Sequence, residues 1–81
     1  MSLSVITITL SEEKNIRECL ESVRWADELI VVDAHSADRT AEIARSYTPH
    51  VYVTDWKGYA PAKSFALEKA TSDWVLWLDA D

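Results

Sequence analysis

Glycine is almost missing from this chain. Gly58 is the only one in 81 residues, where average usage of about 7% predicts roughly five or six. Loops that bring backbone against a phosphate usually use glycine, because any Cβ holds the ligand off. No glycine fingerprint follows the first apolar run, so a dinucleotide-binding protein is not expected. Cysteine is scarce as well. Cys19 stands alone, which excludes a disulfide framework and a Cys-based zinc site. Positive charge is short: eight Lys and Arg against fourteen Asp and Glu give a net charge of -6. That balance argues against nucleic acid and against an anionic membrane surface as partners. A nucleotide diphosphate remains compatible, given a metal to offset the repulsion. No apolar run approaches the ~20 residues of a membrane helix. Met1 leads straight into the first apolar run without a basic start, so no secretory signal and a reducing, cytoplasmic setting are expected.

What is present is globular in character. Hydrophobic residues make up 48% of the chain. Its length suits one domain, burying only about 60% of its unfolded surface. Ser4 to Leu10 is short and β-branched, hence a strand. Ser11 is placed to cap a helix, with Glu12 and Glu13 in its first turn. Ile16, Cys19, Leu20 and Val23 fall at helical spacing and predict a helix to about Trp25, with Cys19 a small core residue. Glu28 to Asp33 is a second, nearly all-apolar strand. Ser36 or Asp38 starts a second helix through Tyr47, with Thr40, Ile43, Ala44 and Tyr47 on one face. His50 to Val53 is a third strand after Pro49, and Trp56 to Tyr59 is loop. Pro61 suits the first turn of a third helix to about Ala70, which buries Ala62, Phe65, Ala66 and Ala70. Trp74 to Leu78 is the fourth strand.

Strand and helix alternate three times over, which means an α/β fold with a parallel sheet and right-handed crossovers. Three helices must cover two faces. The expected solution is spatial order 3-2-1-4, two helices on one face and the third on the other. The winding then reverses between strands one and four, and ligands of open parallel sheets bind beside the carboxyl ends at such a point. Polar clusters fall at those ends: Thr9 to Glu13, Asp33 to Asp38, and Asp79 to Asp81.

The last cluster is the most pointed. Asp79 and Asp81 leave the apolar run Trp74 to Leu78 one residue apart. A buried carboxylate is costly unless paired, hydrogen-bonded or metal-bound. Asp-x-Asp lets one carboxylate hold a divalent cation while the other meets a hydroxyl. The plainer reading is a polar strand terminus. Asp33 has two readings also: a turn former, or an acceptor for a base N–H or a ribose hydroxyl. Lys63 is either a solvated helix lysine or a positive charge for a base or phosphate. His35 reads as a solvated loop residue before a metal ligand, and His50 as structural. Trp25, Trp74 and Trp77 read as packing residues, with Trp56 the exception placed for stacking. Glu12 and Glu13 match the helix dipole.

The segments Thr7 to Ile16, Trp25 to Asp33, Ser36 to Thr40, Trp56 to Tyr59, Lys63 to Leu67 and Asp73 to Asp81 together resemble the opening half of inverting family 2 glycosyltransferases of GT-A fold. The tryptophan-bearing stretches look most like bacterial enzymes that add sugars to lipopolysaccharide core. The resemblance runs over essentially the whole chain. It implies a Rossmann-like half of a GT-A fold that binds a nucleotide-diphosphate sugar, UDP-type above others. Thr9, Leu10, Ser11 and Glu13 would line the nucleoside. Asp33 would contact the base with Lys63 nearby, Asp79 would face the ribose, and Asp81 would bind Mn or Mg. The family's general base lies well beyond the Asp-x-Asp. The resemblance therefore implies residues 1–81 as a single nucleotide-sugar-binding subdomain, truncated after that motif and not catalytically complete alone. Family members often carry Asn where Ser11 stands, Gly where His35 stands, and Gly near Ala60 and Ser72. These departures would add side chains where backbone approaches the ligand.

Two other readings follow from the residues. One is a non-enzymatic, engineered α/β folding module that forms a homo-oligomer through the open edge of its last strand. The other is a phosphotransfer enzyme with a strand-terminal Asp nucleophile. There the Asp-x-Asp opens the fold, whereas here it closes the chain.

Overall fold

The computed structural model describes residues 2–11, 13–35, 38–55 and 57–78, with Tyr59 described by its backbone. Glu12, Ser36, Trp56, Asp79 and Asp81, all singled out above, lie outside the described residues. Seven elements follow in order: β1 (Leu3–Thr9), α1 (Glu13–Ser22), β2 (Glu28–Asp33), α2 (Thr40–Arg45), β3 (Val51–Val53), α3 (Tyr59–Lys69) and β4 (Trp74–Trp77). The four strands form one parallel sheet in the order β3-β2-β1-β4, as the alternation predicts.

Strand alternation sorts the core into two layers. Val5, Leu29 and Val31 face α1 and α2, where they meet Ile16, Cys19, Leu20, Val23, Ile43 and Ala44. Ile6, Ile30 and Val32 face the other way, onto Ala66 and the half-buried Ala62, Phe65 and Ala70 of α3. The apolar positions assigned to all three helices are those that pack. Each buried Leu, Ile or Val of this set contributes about 1.5–3 kcal/mol relative to exposure.

Element ends differ from expectation for local reasons. Helix α1 stops at Ser22 instead of reaching Trp25. The Ser22 hydroxyl donates to the Cys19 carbonyl at 2.6 Å, and the Trp25 indole donates to the Ser22 carbonyl at 3.0 Å. Side chains thus take over the last orphan carbonyls. Helix α3 starts at Tyr59, two residues before Pro61, because Gly58 at φ 101° turns the chain into it. Pro61 still sits in the first turn, where a missing N–H costs nothing. Helix α2 runs only from Thr40 to Arg45. The Tyr47 and Thr48 amides close it on the Ala44 carbonyl, and the buried Thr48 hydroxyl donates to the Leu29 carbonyl at 2.8 Å and accepts from the His50 amide at 3.1 Å.

The amino end of the sheet is tied by Glu28. Its carboxylate accepts from the Ser4 hydroxyl at 2.7 Å and from the Thr71 amide at 3.0 Å. Burial would raise this carboxyl, but the Thr71 and Ser4 hydrogen bonds, with His50 nearby, hold it below its ordinary value.

Candidate functional site

Parallel register puts Thr9 beside Asp33 at the carboxyl ends of β1 and β2. Each is 1% exposed, and the Thr9 hydroxyl donates to Asp33 Oδ1 at 2.7 Å. A carboxylate buried this far needs such donors. The backbone continues the tie: the Ala34 amide donates to the Thr9 carbonyl and the Thr54 amide to the Asp33 carbonyl, each at 2.9 Å. One layer below, on the same face of β1, the Thr7 hydroxyl is buried with no partner among the described residues.

Above this pair, the chain leaves both strands through left-handed residues. Ser11 has φ 53° and His35 has φ 52°. Leu10 is 54% exposed, and Ser11 is exposed beside it. His35 reaches across to the loop after β3, its Nε2 lying 3.1 Å from Asp55 Oδ1. These conformations give the Asn and Gly of the resemblance at Ser11 and His35 a backbone cause, since both residue types tolerate positive φ.

Glu13 is turned toward α2. Its Oε1 accepts from the Arg39 amide at 2.8 Å, while its own amide donates to Asp38 Oδ2 at 3.2 Å. Asp38 also accepts from the Thr40 amide at 3.0 Å and from the Thr40 hydroxyl. The Thr40 hydroxyl, more than any other neighbour, holds the Asp38 carboxyl below its ordinary value. The sequence offered Asp38 as a helix start and missed its reach to α1, 25 residues away in the chain.

Lys63 lies on the α3 side of the sheet, with its ammonium 5.2 Å from the centre of the Trp77 ring. Trp77 belongs to β4, whose register with β1 pairs it with Ile6. The Leu78 amide donates to the Ile6 carbonyl at 3.0 Å, so β4 runs toward the same rim as Thr9. An open cleft of about 420 Å³ lies at the β3 side of that rim, between Thr54, Asp55 and Lys57 and the α3 residues Ala62, Phe65 and Glu68.

The rim thus joins Thr9, Leu10, Ser11 and Asp33, sets Lys63 on the opposite face, and engages Glu13 with α2. No group of three or more metal-ligating side chains occurs among the described residues. No helix among them is long and apolar enough to cross a membrane.

Known proteins share both sequence and fold. The chain is 44% identical over 80 residues to an uncharacterized glycosyltransferase of Rickettsia typhi, covering 98% of this chain and 27% of the relative. It is 37% identical over 86 residues to the lipopolysaccharide core biosynthesis glycosyltransferase LpsC of Rhizobium meliloti, covering all of this chain and 32% of LpsC. Glucosyl-3-phosphoglycerate synthase of Mycobacterium tuberculosis, solved with Mg2+ and uridine diphosphate, superposes with a TM-score of 0.85 at 28% identity, over 99% of this chain and 33% of that one. TarS of S. aureus, residues 1–349 with UDP-GlcNAc, gives a TM-score of 0.81 at 32% identity, over all of this chain and 27% of that one. The chain therefore spans about a third or less of these relatives. Residues 4–81 match the family Glycosyl transferase family 2, and the chain belongs to it.

Proposed function

We propose that this chain binds the donor of a glycosyltransferase, a nucleotide-diphosphate sugar of UDP type, at the carboxyl rim between β1 and β4. The observation that carries the reading is the buried Thr9–Asp33 pair at the carboxyl ends of β1 and β2, on the rim beside the point between β1 and β4 where the winding reverses. It is supported by family membership and by the UDP and UDP-GlcNAc held by two solved structures of similar fold. Leu10 and Ser11 line the nucleoside, Asp33 meets the base, and Lys63 adds positive charge from the α3 side. Asp33 is covered, so the Ala34–His35 turn gives way when the base enters. Glu13 belongs to the wall through its backbone.

The metal belongs to this proposal. Asp79 and Asp81 offer hard oxygen donors, which suit Mg or Mn, and Asp81 is the ligand with Asp79 at the ribose. Such an ion supplies charge neutralisation for the diphosphate. A chain of net charge -6 needs that help. The acceptor is a glycan or lipopolysaccharide-type hydroxyl. Its binding residues and the general base lie outside these 81 residues, so this subdomain does not complete transfer alone. The setting is cytoplasmic, in keeping with a lone cysteine, Cys19, placed in the core and not in a disulfide framework.

Calorimetry with UDP, with and without Mn, tests the reading. Heat at millimolar ligand is expected, with Mn strengthening binding. Asp81→Asn is expected to lose about tenfold in the Mn-assisted affinity and nothing in the Mn-free affinity. No heat from a folded chain removes the reading.

A second reading is association of two copies through β4, favoured by the exposure of Trp74, Val75 and Leu76 on that edge strand. Sedimentation at high concentration decides it, a strict monomer counting against it.

A further inference from the structure

We infer that Glu13 and Asp38 form a reciprocal clasp and act as positioning residues for the rim, holding the segment after β1 and the segment after β2 as one unit. This rests on the nucleotide reading above, because those two segments form the proposed nucleoside wall. Each carboxylate accepts from a backbone amide of the other segment: Asp38 Oδ2 from Glu13 at 3.2 Å, Glu13 Oε1 from Arg39 at 2.8 Å. Asp38 is itself fixed by the Thr40 amide and hydroxyl. Thr40 is fully buried, so the clasp is anchored in the core on the α2 side.

The arrangement has two consequences. First, the carboxylate oxygen of Glu13 that faces α2 is occupied by protein, so that oxygen shapes the wall and is closed to the ligand. Second, the amide at the start of α1 is filled by Asp38 and is closed to a phosphate oxygen. Both consequences follow from hydrogen bonds to charged acceptors, which are stronger than neutral ones. The clasped part of the wall, Glu13 with Asp38 and Arg39, is therefore preformed, and binding has the Ala34–His35 turn to move but not the clasp to order.

Amide hydrogen exchange and UDP titration of the full chain test this together. Glu13→Ala is expected to speed exchange at both the Arg39 and Glu13 amides by about tenfold, since each half of the clasp depends on the other. Glu13→Gln keeps an acceptor for Arg39 and is expected to leave both near wild type. Asp38→Asn keeps an acceptor for Thr40 but presents an NH2 to the Glu13 amide, and is expected to speed Glu13 and Arg39 while sparing Thr40. UDP affinity is expected to fall about fivefold to tenfold in Glu13→Ala and Asp38→Asn, and to hold in Glu13→Gln. If Gln fails as badly as Ala, Glu13 acts on the ligand by charge and the positioning role is overturned. Exchange at the two amides that responds independently overturns the clasp in a chain that still binds UDP. A wild-type chain that binds no UDP ends the nucleotide reading and the positioning role with it, while exchange still decides whether the clasp exists.

Discussion

Thr7 and Thr9 stand two apart on one face of β1, both 1% exposed, yet substitution should move stability in opposite directions. The Thr9 hydroxyl serves the buried Asp33 carboxylate at 2.7 Å. Thr9→Val removes that donor and is expected to cost about 1–3 kcal/mol in urea denaturation. The Thr7 hydroxyl has no partner among the described residues. Thr7→Val is nearly isosteric and removes an unmet polar group, so a gain of about 1 kcal/mol is expected. A loss of that size instead would reveal a buried partner, such as an ordered water, between β1 and the helices. The left-handed pair behaves by the same local logic. His35 sits at φ 52°, and among the described residues its side chain makes an exposed contact to Asp55. His35→Gly is expected to stabilise by about 0.5–1 kcal/mol, since the left-handed penalty of about 1–2 kcal/mol outweighs glycine's extra unfolded freedom and an exposed polar contact. A midpoint below wild type would show that the His35–Asp55 contact matters more than the backbone.

At the scale of elements, two carboxylates tie segments distant in sequence, and both titrate below their ordinary values. Glu28 joins β1, β2 and the turn before β4. Asp38 joins α1 to α2. A carboxyl whose folded value is depressed binds fewer protons when native than when unfolded. Its contribution is complete above the ordinary carboxylate range and is lost as pH falls through the lower folded value. Denaturation midpoints are therefore expected to fall below about pH 4, and Glu28→Gln should flatten that acid limb. An unchanged limb in the variant would place the acid sensitivity elsewhere. The same ties mark what the sequence could not reveal. Strand order, the two-faced core and the packing face of each helix were legible, because periodicities of 2 and 3.6 report burial directly. The buried faces of α1 and α2 were read correctly from Ile16, Cys19, Leu20, Val23, Thr40, Ile43 and Ala44. Helix ends were not, because Ser22, Trp25 and Gly58 settle them through single hydrogen bonds and one dihedral angle. The rim was legible as a place, from Thr9 and Asp33 at strand ends. Its internal wiring was not, since neither Glu13 with Arg39 nor Lys63 with Trp77 follows a short-range pattern.

For the whole molecule, the asymmetry of the sheet is the feature with consequences. Among the described residues, strands β1 and β2 are paired on both sides and covered by helices, whereas β4 pairs with β1 on one side. Trp74 is 59% exposed, and Val75 and Leu76 are each 41% exposed. An apolar edge of this kind offers both unpaired backbone groups and side-chain area to a partner strand. Repulsion from a net charge of -6 opposes association at low salt and is screened at high salt. Sedimentation of the isolated chain is thus expected to show a monomer at low concentration and low salt, shifting toward dimer as either rises. Trp74→Lys places a charge on the edge and removes the largest exposed ring. It is expected to hold the chain monomeric across that range and to change unfolding stability by less than about 0.5 kcal/mol, as befits an exposed position. UDP affinity should be the same in the variant, because Trp74 enters β4 at the end opposite the rim, paired with Leu3. If Trp74→Lys leaves the association intact, the contact is made by another surface, and β4 must be covered in some other way.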